Sequence, residues 1–316
     1  MNKFKIIFLL FAGISLFITS CTKDEDTEEV RRETLTIALN NEISADSLES
    51  VVVWMQNMGT RFALSDIRRD VACKIKERFI RLGYTDTRLD SFTIDKTYRD
   101  ITYQQLQYNV IARIEGTDYP DSVCIIGAHY DNILKTGDPF TIVPGANDNA
   151  SGVAAAIEIA RVMKKNGYKP RNSIEFIAFG SEELGLFGSG AYAFNSSQNM
   201  KQIKFMLNND MIAYQPIADK SDWVVNILDY DNSHILRGMA EKMCSRFTIL
   251  NYKNDNTSNK GSDSYPFFMN GYKALFFFSN YFDPYYHSLN DLAENCNFEY
   301  CREIVKISCA LLVYSN

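Results

Sequence analysis

The chain has 316 residues, 46% of them hydrophobic and 23% charged, with a net charge of −6. That is enough apolar sequence to bury a sizeable core in one large α/β domain. The acidic balance, with no basic cluster beyond the extreme amino terminus, argues against nucleic acid as a partner.

Residues 1–21 read as an export signal outside the fold. Lys3 and Lys5 make a positive start, and the apolar stretch 6–18 is too short to span a bilayer comfortably. Ile18-Thr19-Ser20-Cys21 resembles a bacterial lipobox, in which the cysteine is lipidated and becomes the new amino terminus. An ordinary signal peptide with an incidental cysteine is the alternative. The small residues before Cys21 and the acidic run 22–29 directly after it favour the lipoprotein. Residues 22–40 are then expected to form an acidic flexible tether, and 41–316 a single domain. The expected location is that of an exported outer-membrane lipoprotein of a Gram-negative bacterium, facing the periplasm or the cell surface. Membrane contact is expected through the lipid anchor alone, and the oligomeric state is left open.

Further along, 47–58 and 65–82 read as amphipathic helices; in the second, Ile67, Val71, Ile75, Phe79 and Leu82 recur at helical spacing before Gly83. Residues 108–114 alternate like a strand. The short apolar runs 123–126, 174–179, 205–207 and 274–278 read as strands buried on both faces. Helical patterns at 150–164, 184–193, 233–247 and 298–313 separate or follow them. Strands alternating with helices predict an α/β fold, with a central, largely parallel mixed sheet covered by helices on both faces. Beyond Cys21 the cysteines are Cys73, Cys124, Cys244, Cys296, Cys301 and Cys309. Their pairing is open; Cys296 and Cys301 are close enough to bridge if the chain turns between them, and Cys124 reads as a buried thiol. Without a Cys-x-x-Cys pair, a thiolate zinc site is not expected.

In open α/β sheets, ligands bind outside the carboxyl ends of the strands. His129, one of three histidines, follows the 123–126 strand. Glu182 and Glu183 follow 174–179, and Asp210 follows 205–207. Asp148 precedes a helix expected to begin near Asn149, whose positive end would favour its carboxylate. His287 lies beyond 274–278 and could close the site from the other side. Each residue alone has an ordinary reading, as a loop histidine, surface charge, helix cap or turn former. Their convergence on one edge favours a metal site, because zinc accepts imidazole and carboxylate ligands and keeps a position open for water.

These motifs resemble the co-catalytic zinc aminopeptidases of metallopeptidase family twenty-eight. The match comprises His129-Tyr130-Asp131, Asn147-Asp148-Asn149-Ala150-Ser151-Gly152, Glu182-Glu183-Leu184-Gly185, Asp210 and His287, over roughly residues 50–314. The 109–112 strand and Ser262-Asp263 agree too, whereas Ser264 stands where many relatives carry histidine. The resemblance implies a zinc-exopeptidase fold and two zinc ions. It assigns one to His129, Asp148 and Asp210, and the other to Asp148, Glu183 and His287, with Asp148 bridging. Asp131 is implied to orient His129, Glu182 to act as general base, and Tyr286 to help hold the oxyanion. The implied activity is hydrolysis of the amino-terminal residue from peptides with a free amino terminus. The alternative is a glutaminyl-peptide cyclotransferase using one zinc, a group that relies on pocket tryptophans; here the tryptophans are Trp54 and Trp223, neither in a motif loop. The side-chain pocket is expected around residues 214–220 and 251–265.

Overall fold

The computed structural model describes residues 27–255 and 259–316. The expected export signal and the first residues of the expected tether, 1–26, lie outside the described residues. From residue 27 the tether reading is corrected. Residues 27–41 form a helix, α1, with Thr36 and Leu39 fully buried. Glu29 and Glu33, acids that looked like solvated linker, pair with Arg246, and Asn40 donates to the Lys306 carbonyl. One turn apart on a helix, the two acids face a single cation.

The chain continues through α2 (Ala45–Gln56), α3 (Arg68–Arg81), β1 (Thr87–Tyr98), β2 (Ile101–Ile114), β3 (Tyr119–His129), α4 (Ser151–Lys165), β4 (Asn172–Phe179) and α5 (Phe187–Gln198). It ends with β5 (Gln202–Asn209), β6 (Val224–Leu228), α6 (His234–Phe247), β7 (Asn251–Lys253), α7 (Ser264–Met269), β8 (Ala274–Ser279) and α8 (Phe298–Tyr314). The strands form one mixed sheet in the order β1-β2-β4-β3-β5-β8-β6-β7. Its centre, β4-β3-β5-β8, is parallel, while β2 and β6 run antiparallel to their neighbours β4 and β8.

Alternation along the central strands divides the core into two layers. Cys124, Ile126, Ala128, Ile174 and Phe176 face a cluster that includes α2, α3, α4, α6 and α8. Val123, Ile125, Ile177 and Phe179 face Tyr192 of α5 and Phe267 of α7. Strands sandwiched in this way lose their polar face, which is why they read as continuous apolar runs. Cys124 is the buried thiol expected, and burial pushes it up to about 12. Cys296 and Cys301 do not bridge; all the cysteines beyond Cys21 are free. No helix among the described residues is long and apolar enough to cross a membrane.

One buried charge lies on the α5 side of the sheet. Glu175 is fully buried, 2.9 Å from Lys201, 3.2 Å from Arg113 and 3.4 Å from Arg88, and it accepts the Tyr192 hydroxyl. Burial favours its neutral form, but Lys201, Tyr192 and Arg88 outweigh that and hold the carboxyl below its usual 4.5. A carboxyl depressed by folding stabilises the protein above its unfolded pKa and loses that contribution as pH falls through the folded value. Glu175→Gln, which strands Lys201 and the arginines, is therefore expected to cost about 3–5 kcal/mol at neutral pH. Urea unfolding at several pH values should show the gap from wild type narrowing in acid.

Candidate metal centre and active site

His129 closes β3, Glu182 and Glu183 follow β4, Asp210 follows β5, and the loop after β8 carries His287. These are the carboxyl ends of the parallel block, as the sheet argument expects. Asp148 reaches them from the turn Ala146–Ala150. Its own conformation is extended (φ −109, ψ 95), and α4 begins only at Ser151, so the expected helix-end placement is corrected. The side chain of Asn149, not that of Asp148, meets the first turn of α4, accepting from the Gly152 amide at 2.9 Å. Gly152 lets the helix start press against the sheet: a Cβ there would lie 2.0 Å from the Asn209 carbonyl oxygen.

The side chains meet in two groups that share Asp148. His129 Nε2 lies 3.3 Å from Asp148 Oδ1 and 3.5 Å from Asp210 Oδ1. His287 Nε2 lies 3.0 Å from Asp148 Oδ2 and 2.9 Å from Glu183 Oε2. Glu182 Oε2 stands farther from His129 Nε2, at 3.9 Å. Asp131 meets His129 through its main chain and reaches the loop after β4 with its carboxylate. Its carbonyl accepts from His129 Nδ1 at 3.1 Å, leaving Nε2 to face the cluster. Its carboxylate, 3.8 Å from Nδ1, accepts the Glu182 and Glu183 amides at 2.9 and 3.2 Å. It is drawn there because the loop after β4 turns two adjacent N–H groups toward it. Tyr286 stacks on the His287 ring, with centroids 3.7 Å apart.

Electrostatically, the cluster is short of positive charge. Burial works against a protonated His129, yet Glu182, Asp210 and Asp148 raise it well above its ordinary value. Burial also opposes charge on His287, but Asp148 and Glu183 push it up to about 10. Glu183 is raised to about 8 by burial and by Asp148. Glu182 is raised well above its ordinary value by burial, with Glu183, Asp263 and Asp210 adding to it. Burial would raise Asp148 as well, but the two imidazoles dominate and hold it below the usual carboxylate range.

The residues present fit a metal. Asp148 Oδ2, Glu183 Oε1, Asp210 Oδ1 and His287 Nε2 are buried without a hydrogen-bond partner, although buried polar atoms are ordinarily paired. His129, Asp148 and Glu183 offer ligand atoms within 4.8 Å of one another, and so do His129, Glu182 and Asp210. Imidazole and carboxylate donors at such spacing suit zinc. Geometry alone would admit Glu182 as a ligand. The closer atoms are those of Asp148 and Asp210, which leave Glu182 beside the pair.

His129, Asp148, Glu182, Glu183 and Asp210 line a cavity of about 190 Å³ whose apolar wall is Met211, Phe276, Phe278 and Phe282. Among the described residues, 214–220 contributes nothing to this wall and 251–265 contributes Gly261. Period-two alternation along β8 places Phe276 and Phe278 on one face at the strand's carboxyl end. Ser264 is turned away, bonded to the Tyr230 hydroxyl at 2.9 Å. Trp54 lies under Arg78, and Trp223 packs on Tyr300, both away from the cavity. A larger cavity, about 420 Å³, lies near the amino ends of β3 and β4 with Arg32, Arg171, Lys204 and Lys273, and holds none of the site residues. Sequence reading passed over Arg61 and Asp291 altogether and met Ser262 only as a flanking match. Ser262 donates to Asp210 Oδ2 at 2.6 Å, and a hydroxyl next to Asp263 was the one signal that could have suggested it.

An open α/β sheet thus carries a histidine–carboxylate cluster at its carboxyl edge, where such sheets bind their ligands. The chain belongs to peptidase family M28, whose sequence profile matches residues 109–312, more than half its length. A probable aminopeptidase of Saccharomyces cerevisiae is 27% identical over 214 residues, covering 66% of this chain and 57% of its own length. A probable zinc metalloprotease of Leptosphaeria maculans is 26% identical over 329 residues, covering 87% of this chain and 75% of its own. The chain thus spans little more than half of the yeast relative. Among solved structures, LapB from Legionella pneumophila is similar with a TM-score of 0.75 and 24% identity, covering 89% of this chain and 74% of that one. A glutaminyl cyclase from Bacteroides thetaiotaomicron shares the fold at a TM-score of 0.68 and 16% identity, covering 86% of this chain and 98% of that one.

Proposed function

We propose that the chain is a zinc aminopeptidase that removes the amino-terminal residue from peptides, with two ions held by His129, Asp148 and Asp210 and by Asp148, Glu183 and His287. One observation carries this reading: Asp148 divides its oxygens, one toward His129 and the other toward His287. That is the geometry of a carboxylate shared by two cations. When bound there, zinc supplies a Lewis acid that lowers the pKa of water and polarises a carbonyl.

The chain's own groups do the rest. Glu182, beside the ligands and buried among carboxylates, has a raised proton affinity and takes the proton from the attacking water. It then passes that proton to the leaving amine. Tyr286, half-exposed at the cavity wall, donates its hydroxyl to the oxygen on which negative charge develops. Asp131 holds the Glu182 and Glu183 backbone in place through both of its oxygens. The cavity of about 190 Å³ is small beside the roughly 300–1,000 Å³ typical of drug-sized ligands, and suits one side chain. Its Met and Phe wall favours apolar amino-terminal residues. Export as a lipid-anchored protein through Cys21 is part of the same proposal, and rests on the sequence of residues 1–21.

A panel of aminoacyl-anilides, run beside a glutaminyl substrate, tests the reading. Leucyl and phenylalanyl anilides are expected to be hydrolysed fastest, and the blocked N-acetyl forms not at all. Cyclisation of the glutaminyl substrate without anilide hydrolysis would replace the aminopeptidase with the one-zinc cyclase. The absence of tryptophan from the described cavity wall favours the aminopeptidase.

A further inference from the structure

Arg61 is a fully buried cation, and no carboxylate lies within ion-pairing distance of it among the described residues. Its guanidinium spends its donors on main-chain carbonyls: Nε on Tyr130 at 2.7 Å, Nη1 on Pro144 at 2.8 Å and Met55 at 3.2 Å, and Nη2 on Gly145 at 2.7 Å. Tyr130 stands between His129 and Asp131, and Pro144-Gly145 leads into the turn that carries Asp148. One side chain therefore grips the strand end that bears His129 and the turn that bears Asp148. Gly145 is required at this approach: its φ is +54°, and a Cβ there would lie 2.7 Å from Arg61 Nη2.

The same turn is gripped from the other side by an anion. Asp291, also buried, accepts the Asn147 amide at 2.7 Å and the Asp148 amide at 3.0 Å, one on each oxygen, and its carbonyl accepts from Ala146 at 3.0 Å. Asp291 follows His287 by four residues on the same loop. Cation to carbonyls and anion to amides is the polarity that peptide dipoles favour, and charge-assisted bonds are the strong ones. Burying either charge is costly unless its hydrogen bonds are satisfied, and both are. Asp291 is the leading electrostatic partner of Arg61 despite the turn between them.

Resting on the two-metal reading above, we infer that Arg61 and Asp291 are positioning residues that clamp the Gly145–Asp148 turn from opposite sides and preset Asp148 as the shared ligand. Neither touches the cluster's ligand atoms; each acts through the main chain that orients Asp148. Asp291 ties that turn to the loop of His287, and Arg61 ties it to the strand end of His129. The clamp thus spans both metal groups.

The test uses the full chain, stripped of metal by a chelator and titrated with Co²⁺ while its visible absorption is followed. Asp291→Asn turns an amide donor or a weaker acceptor toward two N–H groups, and Arg61→Lys replaces a planar fork with a single ammonium that cannot serve all four carbonyls. Each is expected to weaken Co²⁺ binding by about 10–100-fold and to change the ligand-field spectrum. In the zinc-loaded variants, kcat should fall with KM little changed, because the apolar wall on β8 is untouched. Asp291→Glu, which keeps the carboxylate, should recover part of the affinity. Glu175→Gln serves as the control, lowering stability without moving the Co²⁺ isotherm. Variants that lose thermal stability but bind Co²⁺ with wild-type affinity and spectrum overturn the inference and leave a structural role only. A wild-type chain that takes up no metal overturns the metallopeptidase reading itself, and the inference with it.

Discussion

Glu182→Gln is expected to keep its metal and to lose about 10²–10⁴-fold in kcat, the usual contribution of a positioned general base. Glutamine has nearly the same shape, so packing is preserved. The main chain at this position is held by the Asp131 carboxylate regardless of the side chain. What disappears is the capacity to take a proton. Burial, together with Glu183, Asp263 and Asp210, raises the proton affinity of this carboxyl well above the ordinary. The two proposed ligand groups do not need it, because His129 lies against Asp148 and Asp210, and His287 against Asp148 and Glu183. Metal analysis beside steady-state kinetics checks both halves. A variant within tenfold of wild type would remove Glu182 from the mechanism, and one that loses metal would make it a ligand.

Metal removal is the second large effect. Chelation is expected to abolish turnover, and zinc analysis of the active protein to return about two ions per chain. One tightly bound zinc would favour the cyclase instead. Melting should report the same loss, since a ligand held by the native state alone stabilises it by about 4 kcal/mol at a thousandfold excess over its Kd. The sign of the pH dependence follows from the imidazoles. His129 is raised well above its ordinary value and His287 to about 10, so at neutral pH both bind protons that an entering metal must displace. Apparent metal affinity should therefore fall as pH is lowered, and uptake in weak buffer should release protons. Titration calorimetry in buffers of different ionisation enthalpy measures that release.

Legibility in the sequence followed burial, with β6 the exception: four of its five residues are buried, yet the sequence reading passed it over. The parallel strands β3, β4, β5 and β8 were readable because burial on both faces leaves an unbroken apolar run. The hairpin strand β1 was missed: its exposed face is polar, and of its twelve residues Leu89, Phe92, Ile94 and Tyr98 give it apolar character. β7 is exposed at all three positions, and α7 is a six-residue helix with a proline inside. The acids of α1 suggested solvent until Arg246 supplied their partner.

The sequence by itself determined the α/β class, the edge at which the site assembles, and the residue types that meet there. Each follows from a local pattern: strand periodicity, the residue just beyond a strand's end, and the chemistry of a donor set. Only the tertiary structure decided how those residues are held. Asp148 lies before a helix in the sequence, but in space its two oxygens face different histidines. Asp131 stands beside His129 in the sequence; in space its carbonyl accepts from that imidazole and its carboxylate also accepts the amides of Glu182 and Glu183. Arg61 and Asp291 left no mark in any spacing, because their partners are main-chain carbonyls and amides. Every residue but proline carries both groups, and only folding brings particular ones within reach of a buried charge.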